Sequence, residues 1–116
     1  YIFMNKRTLT GLTSEKKVEY ALNKLNFLND KHIIVTLSDK GAIYFFNKES
    51  KFAQSKKFDT IDSTGAGDAF AGSFLYGLSL GLPVDENLEK SCSVAGQSTT
   101  YNGSTQFLYK ISNPYL

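Results

Sequence analysis

Residues 59–78 limit what this chain can fold into more tightly than any other stretch. A polar, β-branched run ends in Asp62, Ser63 and Thr64; Gly65, Ala66 and Gly67 follow, then Asp68 and apolar residues at helical spacing. The order is that of a strand end, a glycine turn and a helix start. Glycine accepts positive φ and lets a ligand approach the backbone. The first amides of a helix lack internal acceptors and carry the positive end of its dipole. Such a turn is an anion site, and Asp68 places a carboxylate in its first helical turn. A phosphate cradle beside an acid points to phosphoryl transfer.

Two common phosphate motifs do not fit. Gly67 and Gly72 have the glycine spacing of a P-loop, but Ser73 and Phe74 stand where Lys and Ser/Thr are needed. Gly65 and Gly67 open a dinucleotide fingerprint, but Phe70 occupies its third glycine position. The longer string Asp62-Ser-Thr-Gly-Ala-Gly-Asp-Ala-Phe-x-Gly72 is far more specific. It closely resembles the second signature of the ribokinase-like, phosphofructokinase-B-type kinases of sugars and nucleosides. Ser63 stands where that family usually has Thr, and the hydroxyl is kept.

Composition sets the remaining bounds. The 116 residues suffice for one small domain with a real core, and a net charge of +2 gives no argument for nucleic acid or membrane partners. No apolar run has the length of a transmembrane helix, and the first residues do not form a signal peptide. A lone cysteine, Cys92, excludes an internal disulfide and fits a reducing cytoplasm. It reads as a buried small residue, since no His partner is evident to make it a nucleophile. Kinases of the resembled family are considerably longer. The expectation is therefore that residues 1–116 are the C-terminal nucleotide-binding and catalytic portion, with the N-terminal part and lid absent, and inactive alone.

Along the chain, Ile2, Phe3 and Met4 read as a buried strand ending at Asn5, and the polar residues 6–13, with Gly11, as a loop that has room for a helical turn. Ser14 is a plausible N-cap for a helix over 15–28, with Val18, Leu22, Leu25 and Leu28 on its apolar face. Residues 32–37 suit a strand buried on both faces; a hairpin-like turn at Gly41 leads to a strand over 42–46, and 51–58 reads as an edge strand. A helix over 66–80 presents Phe70, Phe74, Leu75 and Leu78, with Ala69, Ser73, Gly77 and Gly81 as a row of small residues for close approach. Asp85 can cap a third helix over 86–101 that Asn102 and Gly103 end. Tyr109, Ile111, Tyr115 and Leu116 in the tail are available to cover the core. Strands followed by helices, with a glycine turn at a strand's carboxyl end, imply an open α/β sheet. The resemblance sharpens this to the C-terminal part of a ribokinase-like three-layer α/β/α fold.

The resemblance also implies roles. Asp68 matches the catalytic base, and Gly65, Ala66 and Gly67 match the anion hole. Asp62 and Thr64 stand at positions that help to bind a monovalent cation, K⁺, in relatives that use one; capping the helix is the plainer reading. Thr36 to Gly41 resembles a Thr-x-Gly-x-x-Gly element of the nucleotide pocket, with Ser38 replacing its first glycine; an ordinary strand end and turn is the alternative for Thr36 and Gly41. Gly96 and Gly103 correspond loosely to elements beside adenine. Asn5 resembles the start of an Asn-x-x-Glu element whose Glu helps to organise Mg²⁺, but Thr8 stands in place of that Glu. The implied enzyme uses ATP and Mg²⁺ to phosphorylate a hydroxymethyl group of a sugar or nucleoside. A homodimer, where relatives form one, uses the lid. The Thr8 departure keeps open a non-catalytic nucleotide-binding module or an inactive fragment of the same family.

Overall fold

The β-branched run forms strand β2 (Ile33–Thr36), and both of its faces are covered, as its continuous apolar pattern requires. In the computed structural model, which describes residues 1–109, β2 pairs in parallel with β1 (Ile2–Asn5) and antiparallel with β3 (Gly41–Phe46). A two-residue turn at Asn47 and Lys48, both at positive φ, reverses β3 into the edge strand β4 (Glu49–Gln54). The sheet order is β1-β2-β3-β4.

Alternation along the strands divides the core between two layers. Ile33, Val35 and Phe45 face one side, where Leu9, Ala21, Leu22 and Leu25 cover them from helices α1 (Lys6–Thr13) and α2 (Val18–Asn23) and the turn beyond. Ile34, Ala42, Tyr44 and Ala53 face the other, packed under Phe70 and Phe74 of α3 (Ala66–Ser79) and Leu88 and Cys92 of α4 (Val84–Ser98). The result is the expected three-layer α/β/α arrangement.

Several elements differ from the sequence expectation, each for a local reason. Residues 6–13 are not a loop: Asn5 accepts the Thr8 amide at 2.8 Å as an N-cap, and burial of Leu9 holds the resulting helix on the sheet. Ser14 is not an N-cap; it ends α1 at φ 55°. The helix expected over 15–28 shrinks to α2 followed by a 3₁₀ turn over Asn26–Leu28, since asparagines at 23 and 26 favour turns over helix interior. Leu22 and Leu25 still reach the core. Strand pairing of β4 stops at Gln54 rather than continuing to 58, because exposed polar residues follow and the Phe58 ring packs against α4 instead. Asp85 does not cap α4; Pro83 precedes its first residue, and Asp85 lies in the first turn, where its charge suits the dipole. That helix ends at Ser98, and Leu75, one residue around from Phe74, is exposed rather than buried. Of the tail residues expected to cover the core, Ile111, Tyr115 and Leu116 lie outside the described residues, as does the Tyr109 side chain.

The row of small residues has its purpose at Gly77. The Asn87 carboxamide of α4 fills the space where a Gly77 side chain would lie, and its Nδ2 donates to the Phe74 carbonyl at 2.9 Å. Asn87 is fully buried. Gly77→Ala is therefore expected to overpack the α3–α4 contact and destabilise the protein by about 1–3 kcal/mol. Chemical denaturation of the variant beside wild type checks this; an unchanged midpoint would refute the contact.

Candidate functional site

The topology delivers the glycine turn to one end of the sheet. Parallel pairing sets Asn5 beside Thr36 at the carboxyl ends of β1 and β2, and β4 returns to the same end, with Gln54 beside Gly41. Residues 55–65 leave from there. Helix α3 then runs back across the sheet, since the Phe74 ring meets Phe3 and Tyr1 at the start of β1, at centroid distances of 5.8 and 6.3 Å. Its N-terminus therefore points to the carboxyl end, where open α/β sheets bind ligands.

At that N-terminus Gly65 is left-handed, at φ 78°. The Ala66 amide turns back to the Ser63 carbonyl (3.1 Å), and the Ala69 amide closes the first helical bond to Gly65 (2.9 Å). The amides of Gly67 and Asp68 have no acceptor within the helix. Gly67 is exposed, and a Cβ there would meet nothing within 4 Å, so the open side of this turn can receive an anion. Of the three residues assigned to the anion hole, Gly67 is the most open and Ala66 has its amide in the turn. The Asp68 carboxylate is exposed in the same first turn.

The turn is held from outside. The Thr99 carbonyl, just past α4, accepts the amides of Ile61 and Asp62 at 2.7 and 3.0 Å. Asp62 accepts the Thr64 amide at Oδ1 and the Gly103 amide at Oδ2, both at 2.9 Å. The Thr64 hydroxyl, then the Thr64 amide and then the Gly103 amide, hold the Asp62 carboxyl down at about 2, below the usual range. Ser104 occupies the place a Gly65 side chain would need. Thr99 and Ser104 escaped sequence reading because they act through a carbonyl and through shape, which no residue type advertises.

Asp62, Thr64, Gly65, Ala66, Gly67, Asp68 and Gly103 are thus gathered into one site. Gly96 serves packing, since the Phe58 ring fills the space over it. Thr36 ends β2, and Ser38 and Gly41 form the following turn at φ 60° and 124°. Positive φ explains why a glycine would be favoured at Ser38. Between β4 and α4 runs a shallow groove from Phe52 and Lys56 to Glu89 and Ser93, with Cys92 among its lining. Burial, reinforced by Glu89, pushes the Cys92 thiol up to about 11, so it is a neutral packing group.

The fit to metals is limited. Asn5 spends its side-chain oxygen on the cap of α1, and Thr8 supplies the capped amide. Among the described residues no three His, Cys, Asp or Glu side chains form a group that could hold a metal ion. A Mg²⁺ ion carried on nucleotide phosphates would not need such a cage.

Comparison with known proteins identifies the lineage. Residues 1–110 match the family model described as pfkB family carbohydrate kinase. The chain is 32% identical over 106 residues to a 1-phosphofructokinase of Bacillus subtilis, covering 88% of this chain and 34% of that protein. A ribokinase of Schizosaccharomyces pombe is 37% identical over 78 residues, covering 66% and 24% respectively. Among solved structures, ribokinase from Thermotoga maritima superposes with a TM-score of 0.83 at 30% identity, over 92% of this chain and 38% of that one. Adenosine kinase from Sinorhizobium meliloti gives 0.79 at 27% identity, over 88% and 31%. The chain spans about a third of the length of the first of these relatives.

Proposed function

Because the chain belongs to the pfkB family of carbohydrate kinases, we propose that the complete protein transfers the γ-phosphate of ATP to a hydroxymethyl group of a sugar or nucleoside. Residues 1–116 would be its C-terminal nucleotide-binding and catalytic portion, inactive alone and working in the cytoplasm. The observation that carries this reading is the Asp68 carboxylate in the first turn of a helix whose leading amides at Gly67 and Asp68 lack internal acceptors.

In this mechanism Asp68 takes the proton of the acceptor hydroxyl as its oxygen attacks the γ-phosphorus, and the bond to the β-phosphate oxygen breaks. The amides of the Gly65–Gly67 turn and the α3 dipole stabilise charge on the transferring group. Thr36, Ser38 and Gly41, with Gly103, would border the nucleotide, while the space over Gly96 is taken by the Phe58 ring. Mg²⁺ bound to the nucleotide would supply charge neutralisation, and in a K⁺-dependent enzyme Asp62 and Thr64 would be the residues to hold that ion, sharing Asp62 with the Thr64 and Gly103 amides. A homodimer would form through the lid.

Relatives named for ribose, fructose phosphate and nucleosides leave the acceptor to experiment. ATP consumption by the complete protein against a panel of sugars, sugar phosphates and nucleosides is expected to show turnover with one acceptor class. Nucleotide binding without turnover on any acceptor would instead favour a non-catalytic module, the reading supported by Thr8 at the position of the metal-organising acid.

A further inference from the structure

We propose that Asp62 is a positioning residue, which locks the anion turn to the segment after α4 by accepting the Thr64 and Gly103 amides directly. The proposal rests on the kinase reading of that turn. Asp62 Oδ1 closes a local turn on the Thr64 amide (2.9 Å), while Oδ2 reaches 41 positions along the chain to the Gly103 amide (2.9 Å). Both carboxylate oxygens are thereby occupied by the protein's own donors, and a cation would have to share them.

The rest of the geometry agrees with a lock. The Thr99 carbonyl holds Ile61 and Asp62 from the same side, and Thr60 Oγ1 lies 3.2 Å from Thr99 Oγ1. Gly103 presents its amide at φ 77°, a conformation that few other residues adopt. One residue on, the Cβ of Ser104 would lie 2.7 Å from a Cβ placed on Gly65. Residues 63, 64, 67 and 68, and 102 to 106, are exposed, so packing does little to order them. The left-handed Gly65 sets the direction of the first turn of α3, and with it the open amides and Asp68. By holding Thr64, the residue before Gly65, and Gly103, the residue before the Ser104 that lies against Gly65, Asp62 acts on the chemistry through them.

The test compares wild type, Asp62→Asn and Asp62→Ala in the complete protein, by amide hydrogen exchange and by turnover, with K⁺ and with tetramethylammonium in its place. Asn keeps one acceptor and turns an N–H towards the other amide, so it cannot hold both. The lock predicts that residues 99–104 exchange about tenfold faster in both variants, in either salt. It also predicts that kcat falls by the same factor in both salts, while KM for the acceptor stays near wild type. Unchanged exchange at 99–104, or wild-type protection that appears only with K⁺, would overturn the lock in favour of a cation ligand. If wild type turns over no acceptor, the kinase reading fails, and the exchange comparison still decides whether the lock exists.

Discussion

Asp68→Asn in the complete protein is expected to lower acceptor-dependent turnover by about 10²–10⁴-fold, the usual contribution of a positioned general base. Asn preserves the shape and one oxygen of the side chain but cannot accept the acceptor's proton. The affinity for ATP should change little, because the open amides of the Gly65–Gly67 turn remain. A different account of Asp68 makes a different prediction. An acid in a first helical turn earns about 0.3–1 kcal/mol from the dipole alone. If that were its only role, Asp68→Asn would cost a small loss of stability and leave turnover intact. The two outcomes are orders of magnitude apart. Steady-state kinetics on the best acceptor, paired with thermal unfolding of both proteins, separates them.

The sequence was most informative where one residue's own chemistry decides the local structure. β-branched residues 33–36 had to be a strand buried on both faces, and Gly65 had to take the left-handed turn that starts α3. The start of α3 was legible for the same reason, with Asp68 in its first turn as its place after the glycines requires. Sequence reading failed where a distant partner decides. Residues 6–13 look like a polar loop until the Asn5 cap and the buried Leu9 are seen. Phe58 looks like strand until the surface over Gly96 claims its ring. Gly96, which the resemblance sets only loosely beside adenine, makes room for that ring by lacking a side chain. The Thr99 carbonyl and the Gly103 amide belong to the backbone, and their role depends entirely on how α4 ends. Such long-range choices are tertiary decisions, and local propensity cannot make them.

Gly41 is where the two kinds of reading meet, and its substitution carries the largest expected loss of stability. The resemblance assigns Gly41 to the nucleotide pocket, while the fold requires it for another reason. It sits at φ 124° and ψ −144°, a region almost confined to glycine, and a Cβ would fall onto the Ala53 carbonyl oxygen of β4. That carbonyl is backbone in the β3–β4 ladder, and Gly41 itself pairs with Gln54, so neither side can yield without opening the hairpin. Gly41→Ala should therefore destabilise the protein by about 3–5 kcal/mol, combining a strained dihedral with a clash against fixed backbone. Denaturant titration measures the loss. Nucleotide titration at a temperature where the variant remains folded then divides the roles. If Gly41 serves the hairpin alone, the folded fraction binds ATP as wild type does. A fall in affinity beyond the unfolded fraction would place Gly41 at the nucleotide as well, with one glycine meeting both demands at the carboxyl end of the sheet.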